Sequence, residues 1–277
     1  MATSSYTFDA HDADAILRAP LQLGLDQFKD FHIHKTILSV ASAFFHDMFT
    51  LPQPPQPATG GATLPVVPVT ESAEDFEVFL QLIYPVEPPT ITSLTLVDNL
   101  FRLAEKYMAN GVHAKLKQIL VSSSPSSSFL RDDPILVYAL ACRANLDAEA
   151  EMAIPFTFNI NLVQDIPRTH LQMMTAETYN RLLTAHAAHR AKLLSAVNQV
   201  KPPPYPSECS CGLRLYSSLR RDIHLAVWER PFLDKQKLDS YLHNSESPCG
   251  LGSDCRASEQ AISKYLTNVL SKVKKLG

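Results

Sequence analysis

The sequence lacks the signatures by which many enzymes and membrane proteins are recognised. Its 277 residues include only eight glycines, and no glycine-rich motif for phosphate or dinucleotide binding occurs. The G-x-S-x-G motif of serine hydrolases is also absent. No apolar run approaches the ~20 residues that a membrane-spanning helix needs. The five cysteines do not have the pattern of a disulfide framework. These absences predict a protein that is not an enzyme and has no membrane partner.

The composition is that of a folded chain without a strong overall charge. Hydrophobic residues make up 45% of the sequence, which is enough to build real cores. The formal net charge of −3 gives no general attraction to nucleic acid or anionic lipid. The first 14 residues contain neither the basic nor the apolar segment of a secretory signal. We therefore expect a cytoplasmic or nuclear protein, or both, without a nucleic-acid partner.

The most informative segment changes its periodicity near residue 34. Apolar and polar residues alternate over Phe28–Ile33, as in a half-buried strand. From Lys35 onward, apolar residues recur at the spacing of a helix face. They form two groups: Ile37, Leu38 and Ala41, then Phe44, Phe45, Met48 and Phe49. The pattern predicts a strand that leads directly into two short, strongly apolar helices.

These residues closely resemble the BTB/POZ domain family. Asp14 supplies the acidic residue that precedes a short strand, and Phe31 to Lys35 match the family motif F-x-V-H-K/R. Ser42 to Phe49 match the motif S-x-x-F-x-x-M-F, and Leu103 to Met108 are similar to L-A-x-K-Y-x-M. The resemblance covers roughly residues 9–122, and it looks most like the BTB proteins of filamentous and mushroom-forming fungi.

The resemblance implies an α+β fold. Residues 9–122 would form the BTB/POZ cluster of short helices with a small mixed β-sheet, and a mainly α-helical C-terminal region would follow. Serine- and proline-rich breaks at 122–128 and 202–206 divide that region. We expect a helical extension similar in position to the BACK region of relatives at 123–201, and a small helical unit with four cysteines at 202–277. The proline-rich stretch at 51–62 is interpreted as a surface loop, with a ligand for an aromatic groove as the alternative.

The function implied by the resemblance is protein–protein interaction, as a scaffold or dimerising adaptor without catalysis. His34 is implied to be a buried structural residue. By the residue match, the interaction face comprises Ile16, Leu17, Ile37, Leu38, Val40 and Ala41. One alternative is a substrate adaptor for a cullin-type ubiquitin ligase, although Gln53 stands where such relatives carry Glu. The other alternative is a transcriptional regulator.

Four cysteines near the C-terminus form the one group with possible metal chemistry. Four thiolates can close a tetrahedral structural zinc site, and His224 or His243 can replace one of them. The group comprises Cys209, Cys211, Cys249 and Cys255. Its C-x-C and C-x5-C spacings differ from the C-x2-C pairs of standard zinc fingers. Ordinary buried or surface thiols are the alternative, and no other cofactor is expected.

Overall fold

The computed structural model describes residues 6–21, 27–51, 64–122, 128–202, 211–243 and 252–275. The chain divides into two compact units, unit 1 at Met1–Ala153 and unit 2 at Ile154–Gly277. Among the described residues, no helix combines the length and the apolar character that crossing a bilayer requires.

Unit 1 contains a small mixed sheet of three strands. They are β1 (Ala15–Pro20), β2 (Phe28–Ile33) and β3 (Val66–Pro68), in the order β2-β1-β3. The central strand β1 pairs antiparallel with β2, with Leu17 opposite Phe31, and parallel with β3. Alternate residues of β1 are buried, because successive side chains of a strand point to opposite faces. One face of the sheet therefore covers the core, as the period-2 pattern predicts.

Short helices complete unit 1, and several begin where the sequence offers a capping side chain. Ser42, Ser72, Ser93 and Asp133 each accept a hydrogen bond from the amide three residues later. The helices are α1 (Lys35–Ala41), α2 (Ala43–Thr50), α3 (Ala73–Ile83), α4 (Leu94–Lys106), α5 (Asn110–Val121), α6 (Phe129–Asp132) and α7 (Pro134–Arg143). The predicted mixed sheet with short helices, followed by a helical region, is confirmed.

The core of unit 1 centres on Tyr107, at the C-terminal end of α4. Its ring lies 5.0 Å from the ring of Phe45, 5.8 Å from that of Phe76 and 5.6 Å from that of Phe79. The Tyr107 hydroxyl donates a 2.6 Å hydrogen bond to Glu71, so the one polar atom of this ring has a partner. Burial raises the pKa of Tyr107, and the adjacent Glu71 carboxylate adds to the shift.

A further helix, α8 (Asp147–Thr157), runs across the boundary between the units. Pro155 lies inside its last turn. The helix continues two residues beyond the proline and ends at Thr157. The missing amide of a proline costs less near the end of a helix than in its middle.

Unit 2 consists of helices around one hydrophobic cluster. They are α9 (Arg168–Met173), α10 (Ala176–Asn198), α11 (Cys211–Glu229), α12 (Lys235–His243) and α13 (Gly252–Val273). Leu193 and Val197 of α10 pack in the same cluster as Ile223 of α11 and Val269 of α13. This grouping differs from the predicted division at residues 201 and 202, because α10 shares its apolar face with the helices that follow it.

Candidate protein-interaction surface

The candidate surface of unit 1 is built around Ser42, the single residue between α1 and α2. Its backbone is extended, so α2 leaves at an angle to α1. The Ser42 amide donates to Leu38 O and ends α1, while its Oγ accepts from the Phe45 amide and begins α2. The same Oγ donates a 2.5 Å hydrogen bond to Tyr107 O. One buried hydroxyl therefore fixes the α1–α2 pair against the end of α4.

The predicted interaction face is only partly accessible. Leu17 and Leu38 are fully buried and belong to the core, so their side chains are not part of the surface. Ile16, Ile37 and Ala41 are half-buried. Val40 is 86% exposed and is the most accessible residue of the predicted group.

Met108 occupies a backbone conformation that usually requires glycine. Its φ is 48°, in the left-handed region. Its amide bonds to Glu105 O at 3.1 Å, and the Ala109 amide bonds to Ala104 O at 2.8 Å. This pair of bonds is the Schellman ending of a helix, in which the left-handed residue is most often glycine. The methionine side chain is 47% exposed there. A non-glycine residue in this region costs about 1–2 kcal/mol, and such strain is typical of functional sites.

Two grooves flank this methionine. The α1–α5 groove has a volume of about 510 Å³ and the α4–α7 groove about 780 Å³. Ala43, Met108 and Asn110 line both, and we call these three residues the Met108 ridge. The α1–α5 groove is further lined by Ser39, Val40, Ala41, His46, Ile83, Gly111 and Lys115. The α4–α7 groove is further lined by Phe101, Arg102, Glu105, His113, Arg143 and Asn145.

Charged groups hold the wall of the α4–α7 groove in place. Asp98, largely buried, pairs with Arg102 one turn along α4 at 3.4 Å and with Arg143 of α7. Burial lowers the pKa of Arg143, because desolvation disfavours the charged form. Asn145 repeats the left-handed helix ending of Met108, with φ 56°. The groove is thus a preformed shape rather than a gap between loosely held helices.

His34, at the start of α1, is half-buried rather than buried as the resemblance implied, and its polar groups make contacts within unit 1. The His34 side chain accepts no capping hydrogen bond from α1, and the His34 amide donates to the Tyr84 hydroxyl at 2.8 Å. The His34 ring reaches Asp12 at 3.1 Å, and that contact lowers the pKa of Asp12. Burial raises the pKa of Tyr84 to about 12. Asp14 accepts a 2.7 Å hydrogen bond from the Lys35 amide and so caps α1 from a distant part of the chain.

The structure describes only part of the predicted zinc site. Cys209 and Cys249 lie outside the described residues, and for Cys211 and Cys255 the structure describes only the backbone, in α11 and α13. His224 contacts Asn198, and the side chain of His243 is not described. Within the described ranges, no group of three or more potential metal ligands occurs. The zinc site therefore stays a prediction.

Sequence reasoning missed Met108 and the two grooves beside it. Met108 is the last residue of the matched motif Leu103 to Met108. A methionine after a helix gives no local signal of a left-handed backbone, so the sequence assigns it no role in binding. The sequence does show that no glycine follows Lys106 until Gly111. A helix ending without glycine was the available signal.

Comparison with known proteins agrees with the architecture. A model of the BTB/POZ domain matches residues 21–124. No curated protein matches the chain. Strand β1 precedes the matched range, although it is the central strand of the sheet. The match, the mixed sheet and the short helices together show that this chain carries a BTB/POZ domain.

Proposed function

We propose that this chain is a scaffold or dimerising adaptor that binds a protein partner, or a second copy of itself, through unit 1 and without catalysis. BTB/POZ domains are protein-interaction modules. The observation that carries the proposal is the Met108 ridge, where an exposed methionine in a strained conformation separates two preformed grooves. A partner that covers the ridge and Val40 removes apolar surface from water, at about 25 cal/mol per Å².

The test compares two double variants in the full chain. Val40→Asp with Met108→Asp places charges at the proposed surface, and we expect it to abolish partner capture or to convert a dimer to a monomer in light scattering. Val163→Asp with Met152→Asp is the matched control, because Val163 is 84% exposed and Met152 50% exposed. The control keeps the wild-type mass and partners. Equal behaviour of both variants, with both folded, contradicts the proposal.

A second candidate is the cullin-ligase adaptor, and one observation favours it. Leu51 follows α2 directly and is exposed, as the hydrophobic residue of the family's hydrophobic-x-Glu motif would be. Gln53 replaces the acid and lies outside the described residues. Capture of a purified cullin scaffold by the wild-type chain, and its loss in Leu51→Asp, supports this role. No capture at micromolar concentrations excludes it.

The remaining expectations are part of the same proposal. The likeness to fungal members of the family, and a cytoplasmic or nuclear location, follow from the motifs and composition. A structural zinc ion on Cys209, Cys211, Cys249 and Cys255 is proposed as a support for the C-terminal helices. Metal analysis of the purified chain tests this site. We expect about one zinc per chain, lost in Cys249→Ser, and occupancy of a few per cent or less removes the site.

A further inference from the structure

The small net charge of the chain conceals two units of opposite sign. Unit 1 contains nine Lys and Arg and eighteen Asp and Glu, a formal charge of −9. Unit 2 contains sixteen Lys and Arg and ten Asp and Glu, a formal charge of +6. Charge asymmetry between parts of a chain is a signal of polyanion binding. The expectation of no nucleic-acid partner used only the overall value of −3, which averages this asymmetry away.

Part of the positive charge of unit 2 collects where α10 ends. Arg220 of α11 donates to Asn198 Oδ1 at 2.7 Å, and Lys272 of α13 donates to Gln199 Oε1 at 3.1 Å. These two contacts bring α11 and α13 to the last residue of α10, Asn198, and to Gln199, which follows it. Lys201 follows directly, and Lys274 and Lys275 follow Lys272. We call Lys201, Arg220, Lys272, Lys274 and Lys275 the basic cluster.

The members of the basic cluster are exposed, and no carboxylate of the described residues pairs with them. Two other cations of unit 2 do pair with acids, Arg230 with Asp165 at 2.9 Å and Arg221 with Asp222 at 3.9 Å. Cations near the C-terminal end of a helix are also stabilised by the helix dipole. The dipole accounts for lysines at the end of α13 but not for Arg220, which lies in the middle of α11.

The polar groups around the cluster are arranged as hydrogen-bond donors. Asn198 Oδ1 accepts from Arg220 and from His224 Nε2, which must carry the proton because an amide oxygen can only accept. Gln199 Oε1 accepts from Lys272. The side-chain amide oxygens of Asn198 and Gln199 thus accept hydrogen bonds from unit 2 itself. Ammonium, guanidinium and amide N–H groups remain, and this is the chemistry that binds phosphate oxygens.

We propose that the basic cluster binds the phosphate backbone of a nucleic acid. An anionic membrane is the weaker partner, because membrane-binding surfaces combine cations with inserted apolar side chains. Among the described residues, none of the exposed large hydrophobic side chains lies on α13 or at the end of α10. A nucleic acid needs only repeated phosphate contacts, which supply sequence-independent affinity.

The experiment measures fluorescence anisotropy of the full chain with labelled DNA and RNA strands of about 30 nucleotides in about 50–300 mM KCl. Four to five contacts predict a slope of log K against log salt of roughly −3 to −4.5. Arg220→Gln with Lys272→Gln weakens binding about tenfold at about 100 mM KCl and reduces the slope by about 2. Lys235→Gln with Lys237→Gln removes the same charge from α12 and is the matched control, with an expected change under about twofold.

Two further measurements distinguish nucleic acid from other polyanions and test the cluster with a second variant. Vesicles with about 30% phosphatidylserine and a polyglutamate peptide are tested at the same salt concentrations, and binding at least tenfold weaker than to nucleic acid supports the proposal. Lys274→Gln with Lys275→Gln, at the exposed end of α13, checks the cluster without touching Asn198 or Gln199. No binding to nucleic acid at about 50 mM KCl, preference for vesicles or polyglutamate, or equal losses in the cluster and control variants overturns the proposal.

Discussion

The ring of Phe45 lies parallel to the ring of Tyr107, with centroids 5.0 Å apart and planes at 8°. Phe45 is fully buried, and the ring of Phe49 stacks on it at 6.0 Å. Removing it leaves a cavity beside a ring that cannot move without breaking its bond to Glu71. Phe45→Ala should therefore lower the free energy of unfolding of unit 1 by about 3–5 kcal/mol in urea denaturation.

Phe44 provides the comparison for that substitution. It precedes Phe45, contacts the same tyrosine edge-on at 5.3 Å, and is exposed. Phe44→Ala should cost less, about 1–2 kcal/mol, because Phe44 is 36% exposed and buries less surface than the fully buried Phe45. A change below about 1 kcal/mol for Phe45→Ala would mean that α2 is not held against this core.

Ser42→Ala should destabilise unit 1 more than the loss of a helix cap alone. The substitution removes the cap of α2 and leaves the buried Tyr107 carbonyl without this donor, with a combined cost of about 2–4 kcal/mol. Ser72→Ala is the control, because Ser72 caps α3 through one bond to the Asp75 amide at 3.2 Å. It should cost about 1 kcal/mol. Equal losses would show that the bond to Tyr107 contributes nothing.

Met108→Gly should separate stability from binding. Glycine adopts the left-handed backbone without strain, which stabilises unit 1 by about 1 kcal/mol. This gain offsets the packing lost with a half-exposed side chain. The free energy of unfolding should remain within about 0.5 kcal/mol of wild type or rise, while affinity for the partner or second copy falls about tenfold. Asn145→Gly, at the equivalent helix ending, is the control for stability alone, because Asn145 itself lines the α4–α7 groove. A large drop in stability would assign Met108 to the core instead.

Unit 2 should lose stability as the pH falls from about 6.5 to about 4. His186 is buried, and its Nε2 lies 2.8 Å from Thr157 Oγ1, which itself donates to Ile154 O. Nε2 is therefore the donor, and burial, with Arg190 and His189 nearby, lowers the pKa of His186 to about 4. The unfolded chain binds the proton first, so stability is complete above about pH 6.5 and declines below it.

The loss of unfolding free energy is on the order of 3 kcal/mol, since lowering the pKa of His186 from 6.5 to about 4 corresponds to about 1.4 kcal/mol for each unit. His186→Gln keeps a donor toward Thr157 but cannot titrate, so its urea midpoint should change less between about pH 7 and pH 4.5. Carboxylates and His189, whose pKa is also lowered, titrate in both the wild type and His186→Gln. Their contribution therefore cancels when the urea midpoints of the two chains are subtracted. If the urea midpoints of the two chains fell equally with pH, His186 would not be the group that causes the loss of stability.

Local patterns predicted the elements well because their signals are short in range. The Asp133-Pro134 pair and Thr175 are such signals, at the starts of α7 and α10, since a capping side chain acts within three residues. The sheet followed from alternation and from the family motif. These features depend on neighbouring residues, which the sequence shows directly.

Features that depend on distant contacts were not predicted. Leu17 and Leu38 are as apolar as Val40, and only the packing of β1 and α1 on α3 decides which of them is buried. The shared cluster of α10 and α13 joins residues more than 60 positions apart. The charge asymmetry was present in the sequence, but it became visible only once the boundary at Ala153 was known.

The hydroxyl of Ser42 has a mechanical consequence for the two grooves. It ties the segment that walls the α1–α5 groove to the carbonyl beside Met108, which walls both grooves. The corner between α1 and α2 and the end of α4 are therefore held at a fixed spacing, so a partner meets the two grooves as one surface of fixed shape.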